Sequence, residues 1–207
     1  MTLQELIKEH GEPHALVDHW DGTSNPISIW GFEEIIIIDP QGKVILNGEH
    51  IYGPPLRIFQ ETLDKWKSKS DGLAAIGYIS YDLKNLLFPH INFKKINKST
   101  PLLWFAKPDK VIHYEINEDK EKIELPSISL VKDIPTPKDY ERSIKGIKSF
   151  LEKGDSYQIN YTQPKQYHLT GNSFNMYMSM RKNIQPYCGM YLNPGEMQIL
   201  SFSPERF

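Results

Sequence analysis

Three short segments of the chain hold the side chains best suited to chemistry. The first is Ser203-Pro204-Glu205-Arg206-Phe207. A glutamate on a proline-stiffened strand end, following apolar Ile199–Phe202, has its neutral form favoured by desolvation and is suited to work as a general acid. The same residues also read as a Glu/Arg surface pair. The second segment is Gly154-Asp155-Ser156-Tyr157-Gln158-Ile159-Asn160-Tyr161-Thr162-Gln163. Tyr157, Ile159 and Tyr161 alternate with Gln158, Asn160 and Thr162, the period of a half-buried strand. Carboxamides on a rigid strand hold a polar ligand by hydrogen bonds without charge, although such a row also suits the solvated face of a sheet. The third segment, Gly77-Tyr78-Ile79-Ser80-Tyr81-Asp82, reads as a core strand. In it Gly77 permits close backbone approach and Asp82 caps the next turn, with room for a ligand pocket.

Other chemistries find little support. The seven histidines are scattered, with no i, i+4 pair on a convincing helix, so a metal site built from them is not expected. Cys188 is the only cysteine, which excludes an internal disulfide and reads as a small packing residue. Gly72, Gly77 and Gly146 make no phosphate-binding loop. A net charge of −2 and a pI near 6.4 supply no basic field, so nucleic acid is not an expected partner. No window approaches the ~18 apolar residues of a membrane span, and the start lacks a signal-peptide pattern; the expectation is a cytoplasmic protein with no membrane partner.

The elements that must position these segments can be read from periodicity. Thr2 and Glu5 form a capping box for a helix with Leu3, Leu6 and Ile7 on one side, ending at Gly11. Ile27–Trp30, Ile35–Ile38, Val44–Leu46 and Glu49–Tyr52 read as a meander of short strands, with Asp39-Pro40-Gln41-Gly42 and Asn47-Gly48 as turns. Pro54 and Pro55 open a helix that places Leu56, Phe59, Leu63 and Trp66 on one face. Ala74–Tyr81 is a strand followed by a helical turn or two at Leu83, Leu86 and Leu87. Leu102–Ala106, Val111–Ile116 and Lys122–Leu125 form a second meander with Asn117–Lys120 at a tip. Thr136, Pro137 and Asp139 start a helix whose Tyr140, Ile144, Ile147 and Leu151 are expected to be buried, with Gly154 as its stop. Asn172 or Ser173 caps a helix carrying Phe174, Tyr177, Met178 and Met180, and Tyr187–Leu192 with Met197–Ser203 close the chain as a hairpin.

Antiparallel strands interspersed with helices, without β-α-β alternation, predict an α+β fold of mixed, mostly antiparallel sheets with helices on the outside. At 207 residues the chain has room for one large domain or two small ones. The proline-rich stretch Pro126–Pro137 marks the expected boundary, or a strand crossing between sheets, giving domains 1–130 and 131–207. The closing run Ile199–Phe207 reads as an apolar strand running off the end of the sequence, where a polar, solvated tail is usual.

The order and spacing of the helix from Tyr140, the Gly154–Asn160 segment and Ser203-Pro204-Glu205-Arg206-Phe207 resemble the opening of the chorismate-binding domain. Gly77–Asp82 is similar to the signature of that family's N-terminal domain. Within the family the chain resembles the aminodeoxychorismate synthase component I branch, on Ile159-Asn160-Tyr161-Thr162 and on Arg206-Phe207 after the glutamate. The resemblance is weak before residue 70 and strong after 137. It implies the N-terminal half of that fold: an N-terminal domain and an incomplete start of the chorismate-binding domain.

The resemblance further implies amination of chorismate to 4-amino-4-deoxychorismate for para-aminobenzoate and folate synthesis. A glutamine amidotransferase subunit supplies the ammonia, and Mg²⁺ is the cofactor. Glu205 corresponds to the acid that protonates the departing hydroxyl; Tyr157, Gln158, Asn160 and Ser203 are support for the substrate site. The metal ligands are expected after Phe207, with none within this chain. Arg57, Arg142, Arg181 and Arg206 are too few and too dispersed to clamp a dianion, so the chain alone is expected to be inactive. The alternatives are anthranilate synthase component I, or a non-catalytic module that binds an amino acid or docks an amidotransferase. For an amino-acid effector such as tryptophan the resemblance marks Leu16, Asp18, His19, Ser28, Pro186, Tyr187 and Met190; His19 stands where a serine is common, and Cys188-Gly189 depart from the pattern.

Overall fold

The computed structural model describes residues 1–19, 25–70, 72–93, 99–115, 124–132 and 136–203. Among these are ten strands, five α-helices and one 3₁₀ turn. They form two compact units, Met1–Lys120 with Arg181–Phe207, and Glu121–Met180. The α+β class is as expected, with every strand pairing antiparallel.

The first unit is built on one eight-stranded sheet. Its opening helix, α1 (Leu3–His10), carries both halves of the Thr2/Glu5 capping box, and Gly11 ends it at φ +79°. Strand β1 (Ala15–His19) pairs with β2 (Ile27–Ile38), β2 with β3 (Val44–Leu46), and β3 with β4 (Glu49–Ile51). The two runs read separately as Ile27–Trp30 and Ile35–Ile38 are one strand. A bulge between Phe32 and Glu34 shifts its register, and Gly31 at φ +78° turns the chain there. On its other side β2 is spanned by a single long strand, β6 (Leu103–His113), which likewise merges two expected runs. Pro108 of β6 lies opposite the bulge, where a missing N–H is tolerated.

Helix α2 (Pro55–Lys67) covers one face of this sheet. Its Leu56, Phe59, Leu63 and fully buried Trp66 pack with Ile36, Ile38, Val44, Leu102 and Leu103. A second apolar cluster gathers Ala15, Ile29, Ile76, Trp104, Ala106 and Leu192. Strand β5 (Ile76–Ile79) pairs with β6, and Gly77 lies so close to it that a Cβ would stand 2.2 Å from the Trp104 carbonyl oxygen. The close approach read from the sequence is therefore real. The following 3₁₀ turn, Tyr81–Leu83, is capped by the Ser80 hydroxyl, which accepts from the Asp82 N–H, while the Asp82 carboxylate pairs with Lys84 at the start of α3 (Lys84–Leu87).

The second unit holds the two-stranded sheet of β7 (Ser127–Lys132) and β8 (Gln166–Thr170), together with α4 (Pro137–Glu152). Strand β7 occupies much of the stretch read as a boundary, and β8 has no counterpart in the periodicity reading. Helix α4 has the predicted Thr136/Asp139 capping box, but none of its residues is buried: Tyr140 is 49% exposed and Leu151 38%. Capping and spacing are local properties, whereas burial needs a facing surface. The expected strand over Tyr157–Thr162 is an exposed segment without strand structure, because alternation alone supplies no partner backbone.

Helix α5 (Ser173–Ile184) starts where Asn172 Oδ1 accepts from the Phe174 N–H, and it spans the division between the units. Beyond it, β9 (Cys188–Leu192) and β10 (Ile199–Ser203) form the expected hairpin. These two strands extend the first unit's sheet through β1, so residues after 180 fold with the N-terminal ones rather than with 131–180. The hairpin tip Asn117–Lys120 lies outside the described residues. No described helix is long and apolar enough to cross a membrane.

Candidate functional site

Strand register decides which of the expected residues meet. On β1, Leu16 lies opposite Ser28 of β2 and Tyr191 of β9, while Asp18 lies opposite Gly189. Because side chains alternate along a strand, Leu16, Asp18 and Ser28 share one face of the sheet. All three are fully buried, and the Ser28 hydroxyl donates to the Ile112 carbonyl at 3.0 Å. Met190 pairs with Val17 and therefore projects from the opposite face, where it packs on the cluster around Ala15 and Ile29. Pro186 is buried and Tyr187 half-buried in the link from α5 to β9. Gln185, at φ +46°, makes the turn out of the helix. The side chain of His19 lies outside the described residues.

The centre of this face is an ionic cluster that sequence reasoning missed. Arg181 Nη1 donates to both Asp18 carboxylate oxygens at 3.1 Å and to the Tyr114 hydroxyl at 3.0 Å. The Tyr114 hydroxyl in turn donates to Asp18 Oδ1. Asp18 is 0% exposed, Tyr114 3% and Arg181 4%. Burial pushes the Tyr114 phenol well above its ordinary range; Arg181 opposes that shift and Asp18 adds to it. A carboxylate in such a place is held only if a cation and further hydrogen bonds replace water, and both are present.

A signal for Arg181 existed in the sequence. Phe174, Tyr177, Met178 and Arg181 recur at i, i+3, i+4 and i+7, and all four are buried, so the arginine stands on the apolar stripe of α5. Asp18, next to apolar Leu16 and Val17 on β1, was the matching sign.

The residues expected around substrate are distributed over both units. Ser203, half-buried, ends β10 and lies opposite Cys188. Glu205, read as the general acid, lies outside the described residues. Tyr157, Gln158 and Asn160 belong to the second unit and are exposed, Tyr157 to 97%. The Gln158 amide lies 3.5 Å from Asn160 Oδ1, and the Ser156 hydroxyl donates to the Gln158 carbonyl. Among the described residues no three histidine, cysteine or acidic side chains come together to hold a metal ion. The fully buried Asp18 carboxylate faces a guanidinium.

Comparison with known proteins accounts for most of the chain. The family model for "chorismate binding enzyme" matches residues 20–207. Anthranilate synthase component 1 of Saccharolobus solfataricus is 28% identical over 144 residues, covering 63% of this chain and 34% of that protein. Aminodeoxychorismate synthase component 1 of Bacillus subtilis is 23% identical over 253 aligned positions, covering 97% of this chain and 52% of that protein. The chain thus spans about half or less of the length of these curated relatives. Among solved structures, anthranilate synthase component I from Streptococcus pneumoniae TIGR4 has a similar fold. Its TM-score is 0.66 at 16% identity, over 88% of this chain and 51% of that one. With the family model matching residues 20–207, this chain belongs to the chorismate binding enzymes.

Proposed function

We propose that the chain serves a chorismate-utilising synthase of the aminodeoxychorismate type, which aminates chorismate at C4 with ammonia delivered by a glutamine amidotransferase subunit. The observation that carries this reading is the family match across residues 20–207. The Bacillus subtilis relative, aligned over 97% of the chain, supports the branch, as do Ile159-Asn160-Tyr161-Thr162 and Arg206-Phe207. In this chemistry the hydroxyl at C4 leaves poorly unless an acid protonates it, and Glu205 is the residue assigned to that transfer. Tyr157, Gln158, Asn160 and Ser203 are assigned to the surroundings of the substrate. Mg²⁺ belongs to the reading as the family's expected cofactor.

A specific observation favours a second reading. The Saccharolobus solfataricus anthranilate synthase component is the more identical relative over its shorter match. Amination at C2 to anthranilate is therefore the alternative.

The test is a chimera in which this chain replaces the matching half of the Bacillus subtilis relative. Growth of a para-aminobenzoate auxotroph is expected, with loss of growth on Glu205→Gln. A folded chimera that makes anthranilate from chorismate and ammonium, or that is indifferent to Glu205→Gln, overturns the reading. The chain alone, given chorismate, ammonium and Mg²⁺, is expected to yield no product. Three of its four arginines are Arg57, Arg142 and Arg181; the first two are exposed and the third is engaged with Asp18.

A further inference from the structure

We propose that the first unit holds a binding site for a small aromatic amine, in the cavity between strands β2, β6 and β5 and the turn that joins β9 to β10. The inference stands on the geometry of the first unit and is independent of the chorismate branch, so its failure leaves that reading untouched.

The cavity has a volume of about 330 Å³. Small-molecule sites of this size are concave and mostly apolar, with a few placed polar groups. Register builds the floor. Ile37 of β2 lies opposite Trp104 of β6, and Trp104 lies opposite Tyr78 of β5, so the three side chains stand in one row on one face of the sheet. That face packs Ala15, Ile29 and Leu192, and it is the reverse of the face that carries Leu16, Asp18 and Ser28. An edge-to-face contact with Phe32, 5.3 Å between centroids, holds the Trp104 ring. Pro101, Pro194 and Met197 complete the apolar wall.

Hydrogen bonds fix these walls in the free protein. Beside Pro101, the Leu102 N–H donates to the Ile38 carbonyl at 2.8 Å. In the turn, Asn193 Oδ1 accepts from the Gly195 N–H at 3.1 Å and from the Gln198 side-chain amide at 3.3 Å. The Asn193 N–H donates to the His14 carbonyl at 2.8 Å, which ties the turn to the start of β1. A site formed in advance loses little conformational freedom when it binds.

Two polar groups select the ligand. The Tyr78 hydroxyl is buried without a hydrogen-bond partner, and its residue lines the cavity. Glu196 is exposed in the turn and carries the only charge among the described lining residues. An ammonium has three donors and no acceptor, so it suits a phenol oxygen and a carboxylate together. The aromatic ring it is attached to packs on Trp104 and Tyr78. A carboxylate on the ligand would meet Glu196 as a like charge, which sets the class apart from amino acids.

Calorimetry of the full chain with phenethylamine tests the site. Saturable binding with a Kd of about 1 mM is expected, and none for 3-phenylpropionate, which carries a carboxylate in place of the ammonium. L-Phenylalanine has both groups and is expected to bind roughly 5-fold more weakly than phenethylamine. Tyr78→Phe removes an unpaired hydroxyl and Glu196 is exposed, so variants at both positions are expected to fold. Tyr78→Phe is expected to weaken phenethylamine roughly 5-fold through one lost hydrogen bond. Glu196→Lys is expected to abolish phenethylamine binding and to admit 3-phenylpropionate. Absence of saturable heat with phenethylamine, equal affinity for L-phenylalanine, or unchanged affinity in either variant overturns the proposal.

Discussion

Replacing Gly77 by alanine tests how closely β5 and β6 are packed. A Cβ there would lie 2.2 Å from the Trp104 carbonyl oxygen, 2.6 Å from Phe105 Cγ and 2.7 Å from Phe105 Cα. Two of these three atoms are backbone, so no rotamer change relieves the overlap, and the strands must separate or shift register. Displacing them disturbs the cluster that includes Ile76, Trp104 and Ala106. Overpacking of a well-packed core costs about 1–3 kcal/mol, and a clash with backbone belongs at or above the top of that range, so a loss of about 3 kcal/mol is expected. Gly146 provides the opposite case. It lies within α4, and a Cβ there meets nothing within 4 Å. Alanine at that position is expected to stabilise the helix by about 0.5–1 kcal/mol. Urea unfolding followed by circular dichroism measures both. A Gly77→Ala unfolding free energy equal to wild type within about 0.5 kcal/mol would refute the close approach and with it the β5–β6 packing.

Three further outcomes are expected. The Tyr78 hydroxyl is buried without a hydrogen-bond partner, so Tyr78→Phe is expected to be neutral or to stabilise by up to about 1 kcal/mol; a loss beyond 1 kcal/mol in the same assay would reveal a partner. Burial raises the phenol pKa of both Tyr78 and Tyr114 above the unfolded value near 10. Stability from these groups is therefore complete below pH 10 and is lost as pH rises further, and Tyr78→Phe is expected to flatten part of that decline in pH-dependent unfolding. Thr136→Ala removes the hydroxyl that accepts from the Asp139 N–H at the start of α4; a cost of about 1 kcal/mol is expected, and unchanged helix stability would show that the cap is dispensable.

Local signals were legible where they are complete within a few residues. The capping boxes at Thr2/Glu5 and Thr136/Asp139, the helix stop at Gly11 and the turn between β9 and β10 fall where the sequence places them. Tyr157–Thr162 shows the opposite case. Its alternation is that of a strand, yet a strand exists only when another backbone takes up its hydrogen bonds. The β7–β8 pair is the converse: Tyr167 and Leu169 alternate with Gln166, His168 and Thr170, and here β7 supplies the partner backbone from within the stretch read as a boundary. In the site, Asp18 was singled out but its partners were not. Arg181 enters the sequence reading only as one of four dispersed arginines, whereas the apolar stripe it shares with Phe174, Tyr177 and Met178 marks it as buried.

By itself the sequence determined the class of fold, the family and the positions of most helices, because these depend on residue type, spacing and order along the chain. Tertiary structure alone decided that residues 181–207 fold with the N-terminal unit, that Gly31 and its bulge join two runs into one strand, and that Asp18 faces Arg181 and Tyr114. The physical reason is the same in each case. Pairing of distant backbones and neutralisation of a buried charge depend on what the fold brings close, and sequence separation carries no record of that distance.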